Sequence, residues 1–196
     1  MGFRLKGRFI FFATNNVNKF DEARRVLAEY KIAVGMLRVK STEIQSDSLK
    51  EVAEASVKDA FQECSLPMIV EDAGLFVEGL NGFPGPYAAY VYKTIGNRGL
   101  LKLMKGIEMR KARFESVIAY LSSELKSPNC FNGQAAGEIV SKQRLGSGRT
   151  GFGFDPVFRP DTSEKTFAEM DVTEKNRKSH RADAFRKFAE WYKKAP

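Results

Sequence analysis

Between Arg8 and Leu27 the chain changes its hydrophobic period abruptly. Arg8-Phe9-Ile10-Phe11-Phe12-Ala13 is a short apolar run and Thr14-Asn15-Asn16 is polar; from Asn18 onward Phe20, Ala23/Arg24 and Leu27 recur at helical spacing. Strand, polar turn and helix in that order demand an α/β architecture, because each element must bury its apolar side against the next. The first half continues in this way. Met36 to Val39 is strand-like, and a second helix is expected from Ser48, with Glu51 three residues on as a capping box and Val52, Ala55, Val57, Ala60 and Phe61 following. Met68-Ile69-Val70 reads as a buried strand running into Glu71-Asp72, after which Ala73-Gly74-Leu75 reads as the start of a tight turn.

The second half is richer in hairpin signals. Gly82-Phe83-Pro84-Gly85-Pro86 marks residues 79–92 as an ordered loop. Residues 114–121 and 132–140 read as two strands joined around Ser127-Pro128-Asn129. A closing helix over residues 179–192 carries Ala182, Phe185, Phe188/Ala189 and Tyr192 on one face. No internal repeat or low-complexity tract interrupts the pattern.

Composition narrows the function classes. With 196 residues, 43% of them hydrophobic and 29% charged, residues 1–196 are expected to form one domain with a sizeable core and two lobes. No run approaches the roughly 18 apolar residues of a membrane span, and the first residues turn polar too soon for a signal peptide. A soluble, cytoplasmic protein with no membrane partner is expected. Cys64 and Cys130 have neither a CxxC partner nor a neighbouring histidine, so zinc and a disulfide framework are disfavoured and two free thiols are expected. The formal net charge is +8, from 32 Lys and Arg against 24 Asp and Glu. These cations are spread along the chain. Nucleic-acid binding would favour a stripe with interleaved aromatics, whereas a small polyanion such as a nucleoside triphosphate fits dispersed charge equally well. The denser groups, Lys102/Lys105/Arg110/Lys111/Arg113 and Arg177/Lys178/Arg181/Arg186/Lys187, lie in or beside expected helices, where solvated faces are the usual cause.

Three stretches carry chemistry. In Thr14-Asn15-Asn16-Val17-Asn18-Lys19, backbone N–H groups at a helix start, hydroxyl and amide donors and one ammonium together make an anion site. The same residues also serve simply as a helix cap. Gly-x-x-x-x-Gly-Lys-Ser/Thr is absent, which disfavours a P-loop enzyme. The second stretch is acidic: Glu43 follows one strand-like run and Glu71-Asp72 ends another, and hard oxygen ligands there suit Mg²⁺. Side chains alternate along a strand, so only one of Glu71 and Asp72 faces the site, and Asp72 is preferred because of the turn expected after it. The third stretch places Phe152, Gly153, Phe154 and Asp155, framed by Gly148 and Gly151, about twenty residues before Lys175, His180 and Arg181. Phe152 and Phe154 taken singly suit a core. The combination of aromatic faces, a fixed carboxylate and cations suits a purine nucleotide.

An ordered set of motifs then carries a resemblance. It comprises Thr14-x-Asn16-x-x-Lys19, Glu71-Asp72-Ala73-Gly74-Leu75, Gly82-Phe83-Pro84-Gly85-Pro86-Tyr87, Gly151-Phe152-Gly153-Phe154-Asp155-Pro156-Val157-Phe158, Phe167-Ala168-Glu169-Met170 and Glu174-Lys175-Asn176-x-x-Ser179-His180-Arg181-Ala182. The chain resembles the inosine triphosphate pyrophosphatase family, also called Ham1-like or noncanonical purine nucleoside triphosphate pyrophosphatases, from about Phe9 to Tyr192. The resemblance implies an elongated, curved mixed β-sheet with flanking helices forming two lobes around a central cleft, and a homodimer. It implies hydrolysis of ITP, dITP and XTP to the monophosphate and pyrophosphate.

Carried over by position, Thr14, Asn15, Asn16 and Lys19 would hold the triphosphate, with Lys58 near the phosphates. Glu43 and Asp72 would hold Mg²⁺, for which Mn²⁺ could substitute, and Asp72 would also accept the proton of the attacking water. Phe152 would stack on the base, with Gly153 and Phe154 beside it, while Asp155, Lys175, His180 and Arg181 surround its edge and sugar. Ala73 stands where many relatives carry Ser or Thr, so only its backbone N–H is left to bind. Arg181 carries donors only, so a 6-oxo purine satisfies it where the 6-amino group of adenine does not. Two alternatives stand beside this reading. A Maf-like pyrophosphatase acting on pyrimidine or modified nucleotides should begin Ser-x-Ser-x-Arg-Arg, and a basic nucleic-acid-binding protein would leave Glu43, Asp72 and Asp155 without a purpose.

Overall fold

A computed structural model describes residues 7–39, 44–146 and 152–195. The strand, turn and helix expected at the start are present as β1 (Arg8–Ala13) and α1 (Val17–Glu29). The chain returns along β2 (Ile32–Leu37), parallel to β1, with Arg8 opposite Ile32 and Ala13 opposite Leu37. This second strand comes earlier than the run from Met36 to Val39 suggested, since Ile32, Ala33 and Val34 already pair with β1. Helix α2 (Leu49–Cys64) starts at Ser48, whose hydroxyl accepts the Glu51 N–H at 3.3 Å. The Glu51 carboxylate instead accepts from the Ser46 hydroxyl at 2.7 Å, so the cap is one-sided.

Strand β3 (Met68–Val77) pairs parallel with β1 at Phe11 and Phe12 and does not turn at Ala73-Gly74-Leu75. It runs on to pair antiparallel with β4 (Pro84–Gly85), Leu75 facing Gly85 and Phe76 facing Pro84. Gly74 permits this, because a Cβ there would lie 2.7 Å from the Gly85 carbonyl oxygen. A glycine that reads as a turn signal thus marks a close approach of two strands.

Residues 79–92 are only partly loop. A 3₁₀ turn over Glu78–Leu80 and β4, entered through a cis Phe83–Pro84 peptide, lead into α3 (Ala88–Thr94) and then α4 (Gly96–Leu103). The hairpin consists of β5 (Lys111–Leu121) and β6 (Asn129–Ile139), so Asn129 opens the returning strand instead of closing the turn. After a 3₁₀ turn over Asp155–Val157, β7 (Phe158–Pro160) pairs antiparallel with β6. The expected closing helix is present as α6 (His180–Lys194), and a further short helix, α5 (Val172–Lys178), precedes it. Asp171 caps α5, accepting the Glu174 N–H at 2.7 Å. Among the described residues the sheet is mixed and seven-stranded, in the order β2-β1-β3-β5-β6-β7 with β4 on β3.

The chain forms two compact units, the first from Met1–Asp72, Val117–Gly133 and Arg181–Pro196, the second from Ala73–Ser116 and Gln134–His180. The first packs α1 and α6 through Ala23, Val26, Leu27, Phe185 and Phe188 with Ile10, Phe12 and Ile69. The expected face of the last helix supplies four of its buried residues, Ala182, Phe185, Phe188 and Ala189. The second has its own core of Leu75, Leu100, Met104, Phe114, Phe158 and Phe167. No helix of the described residues is long and apolar enough to cross a membrane.

Candidate active site

In the first unit the polar turn after β1 is built as a cap. The Thr14 hydroxyl accepts the Asn16 N–H at 3.1 Å, and Asn16 Oδ1 accepts the N–H groups of Asn18 and Lys19 at 3.0 and 3.2 Å. Asn15 is exposed beside it. The cap fixes the first turn of α1 and thereby the direction in which Lys19 leaves it. Lys19 Nζ donates to the Glu71 backbone carbonyl at 3.1 Å and lies 3.0 Å from the Glu71 carboxylate. The interior of β3 and the start of α1 are thus tied together by a single ammonium.

Glu71 is fully enclosed, and its other oxygen accepts from Arg181 Nε at 3.0 Å. Arg181 Nη1 in turn lies 2.6 Å from Glu22 on α1. Two cations and two carboxylates therefore balance within one buried chain of contacts. The balance matters because an uncompensated buried charge is strongly unfavourable. It matters further for Arg181, which sits in the first turn of α6, where the helix dipole disfavours a cation. The two carboxylates offset that. Glu71 is committed on both oxygens, while Asp72, the next residue of β3, is half-buried on the alternate side of the strand.

Lys58 is exposed on α2. With Lys50 it pulls the Cys130 thiol down, but burial and the neighbouring Glu54 carboxylate prevail and push that thiol up to about 11. Glu43 lies outside the described residues, as do Gly148 and Gly151. Among the described residues no three His, Cys, Asp or Glu side chains converge as a metal cluster.

In the second unit, Ala73 continues β3 half-buried, and the aromatic stretch forms a tight turn. Gly153 has φ +61°, a left-handed conformation that glycine adopts without cost. Asp155 closes the turn by accepting the Phe152 N–H at 2.9 Å, and it pairs with the Lys175 ammonium at 2.6 Å. Lys175 projects from α5 with its ammonium 5.5 Å from the Phe167 ring centre. The two neighbouring aromatics differ: Phe154 is buried against Tyr92, edge to face at 5.5 Å, whereas Phe152 is half-buried. His180 is enclosed, its ring stacked on Phe114 at 4.6 Å with only 10° between planes. The second unit thus holds a fixed carboxylate, an ammonium, an imidazole and a partly accessible aromatic, the groups that recognise a heterocycle.

Three contributors escaped the sequence reading. Glu22 is the second anion on Arg181, Phe114 is the platform under His180, and Asn97 donates to the Gly153 carbonyl at 3.1 Å. For Glu22 a signal exists, since it precedes Ala23 and Val26 on the buried stripe of α1 and is itself 8% exposed. A carboxylate on an apolar helix face requires a cationic partner. For Phe114 and Asn97 no local pattern distinguishes them from ordinary strand and helix residues.

Comparison with known proteins identifies the family. A model of the Ham1 family matches residues 10–191. The chain is 50% identical to a protein of Thermococcus kodakarensis named dITP/XTP pyrophosphatase, over 93% of this chain and 96% of that one. It is 48% identical to the protein of the same name from Methanopyrus kandleri, over 94% and 96% of the two. Among solved structures, the Ham1 protein of Staphylococcus aureus superposes with a TM-score of 0.81 at 26% identity, covering 95% of this chain and 99% of that one. A HAM1 protein from Coxiella burnetii gives the same score and identity over 96% and 100%. The motifs at Thr14, Glu71, Gly82, Gly151, Phe167 and Glu174 all fall within the matched span, and the chain belongs to the Ham1 family.

Proposed function

We propose that the protein hydrolyses noncanonical purine nucleoside triphosphates, dITP, ITP and XTP, to the monophosphate and pyrophosphate. The names of its relatives, dITP/XTP pyrophosphatases at about half identity over nearly the full length, support the substrate class. The geometry supports it through one observation above all: Lys19, at a capped helix start, is fixed 3.0 Å from the Glu71 carboxylate within β3, one residue from Asp72. Such an arrangement offers cationic and amide groups to phosphate oxygens beside a carboxylate that can take a proton.

In the reading we favour, Thr14, Asn15, Asn16 and Lys19 hold the triphosphate, and Lys58 adds charge from α2. Asp72 orients the attacking water and accepts its proton. Glu71, committed to Lys19 and Arg181, stays out of that chemistry. The donor set fits Mg²⁺, with Mn²⁺ as a substitute. Magnesium asks for one or two carboxylates and completes its shell with water and substrate phosphates, so Asp72 and Glu43 suffice without a three-acid cage. When bound, the ion would neutralise phosphate oxygens and support pyrophosphate as the leaving group.

At the other end of the nucleotide, Phe152 stacks on the base, the Gly153 and Phe154 backbone lies beside it, and Asp155, Lys175 and His180 address its edge and sugar. Arg181 gives Nε to Glu71 and Nη1 to Glu22, so a contact with a 6-oxo group would be made while it holds both carboxylates. We place the enzyme in the cytoplasm as a homodimer, one domain spanning residues 1–196.

The test is the product pattern with dITP and Mg²⁺. Equimolar dIMP and pyrophosphate fit the proposal, with Asp72→Asn losing turnover but retaining most nucleotide binding. Orthophosphate with dIDP would contradict it, and near-normal turnover in Asp72→Asn would remove Asp72 from proton transfer.

A further inference from the structure

Asn97, the second residue of α4, has an unusual hydrogen-bond balance. Its side-chain N–H donates to the Gly153 carbonyl at 3.1 Å, while its own Oδ1 is buried and has no partner among the described residues. Exchanging oxygen and nitrogen does not help, since it sets oxygen against the Gly153 oxygen and buries an amino group instead. A net intramolecular hydrogen bond contributes little, whereas an unmet buried acceptor costs the full desolvation of that group. Stability alone gives no reason for an amide at this position. A buried, unsatisfied polar atom calls for another explanation.

The explanation lies in what the bond holds. Gly153 carries no side chain, and nothing lies within 4 Å of where its Cβ would be, so only Phe154, buried against Tyr92, packs beside this peptide. On its far side the turn is closed by Phe152 N–H to the Asp155 carboxylate at 2.9 Å and by Asp155 N–H to the Phe152 carbonyl at 3.2 Å. Those bonds join residues 152 and 155 and do not engage the intervening Gly153 carbonyl. Asn97 restrains it from outside the turn.

We propose that Asn97 is a positioning residue for purine binding: by anchoring the Gly153 carbonyl it sets the Phe152 ring at the angle that stacks on the base. This inference rests on the reading of Phe152 as the stacking residue. Its consequence is a split in the kinetics, because only base binding depends on the ring's orientation. Asn97→Ala should raise KM for dITP and the inhibition constant of dIMP about tenfold, while kcat stays within about threefold; a tenfold change corresponds to about 1.4 kcal/mol. Inhibition by inorganic pyrophosphate, which has no base, should be unchanged. Asn97→Asp, equal in size but without an N–H at neutral pH, should behave like Asn97→Ala.

Backbone hydrogen exchange across residues 152–155 in the ligand-free protein provides the second measurement, and both variants should speed it there while leaving the core of α4 unchanged. Wild-type exchange in this turn would overturn the inference, whatever the enzyme acts on. So would wild-type KM and dIMP inhibition in both variants, or an equal rise in the pyrophosphate constant. Absence of dITP turnover in the wild-type enzyme would instead strike the proposed function, with exchange still deciding whether Asn97 holds the turn.

Discussion

The Lys175 ammonium lies 2.6 Å from the Asp155 carboxylate, and both side chains are more than nine-tenths enclosed. The pair joins α5 to the turn that carries Phe152. Breaking a buried pair by removing one partner leaves the other charge uncompensated, which costs about 3–5 kcal/mol. Lys175→Met should therefore lower stability by that order in urea titrations. Adding Asp155→Asn to it should restore part of the loss. A single variant as stable as wild type would show that the carboxylate finds water or another donor.

Lys19 and Arg181 both pair with Glu71, but they should fail differently when removed. Lys19 is 18% exposed and meets one carboxylate; Arg181 is 4% exposed and meets two. Arg181→Ala should cost about 3–5 kcal/mol of stability. Lys19→Ala should cost clearly less and act mainly on nucleotide turnover. Equal thermal shifts in the two variants would refute this division. If Arg181 also selects the base, the ratio of kcat/KM for ITP over ATP should fall in whatever fraction of Arg181→Ala folds.

Two glycines give opposite readings of the same substitution. At Gly74 the conformation is extended but a new Cβ would lie 2.7 Å from the Gly85 carbonyl, so Gly74→Ala forces β3 and β4 apart at a cost of about 1–3 kcal/mol. At Gly153 the space is open but φ is +61°, so Gly153→Ala costs about 1–2 kcal/mol through backbone strain alone. Crystal structures of both variants separate the two cases: strand displacement is expected at Gly74→Ala and not at Gly153→Ala.

Cys130 should be a poorly reactive thiol at neutral pH. Burial, then the Glu54 carboxylate 3.6 Å away, pushes its pKa up to about 11. Both causes favour the protonated form, so the thiolate is scarce below that value and grows as pH rises through it. Alkylation followed by mass spectrometry should label Cys130 slowly at pH 8 and faster as the pH rises towards 11. Glu54→Gln should speed Cys130 labelling. Labelling of Cys130 as fast at pH 8 as at pH 11 would contradict the assignment.

Much of the fold is legible where its causes are local. The Asn16 cap, the apolar stripe of α1 and the Ser48 start of α2 all depend on residues within one or two turns, and they stand where spacing places them. Helix α5 is missed because Val172 is its sole apolar residue among seven, leaving no period to detect. The extension of β3 past Gly74 is missed because its cause is the carbonyl of Gly85, a tertiary neighbour. The chemical residues are legible as ordered motifs, yet their pairings are not. Arg181 finds Glu71 across 110 residues of sequence and Glu22 across 159. Only folding brings these carboxylates to it.

Pyrophosphate release with Mg²⁺ from ITP, XTP, dITP, ATP, GTP and dTTP tests the central claim most directly. Rapid release from the first three with little from the others is the predicted result. Release chiefly from dTTP, or from none of the six, would contradict the account.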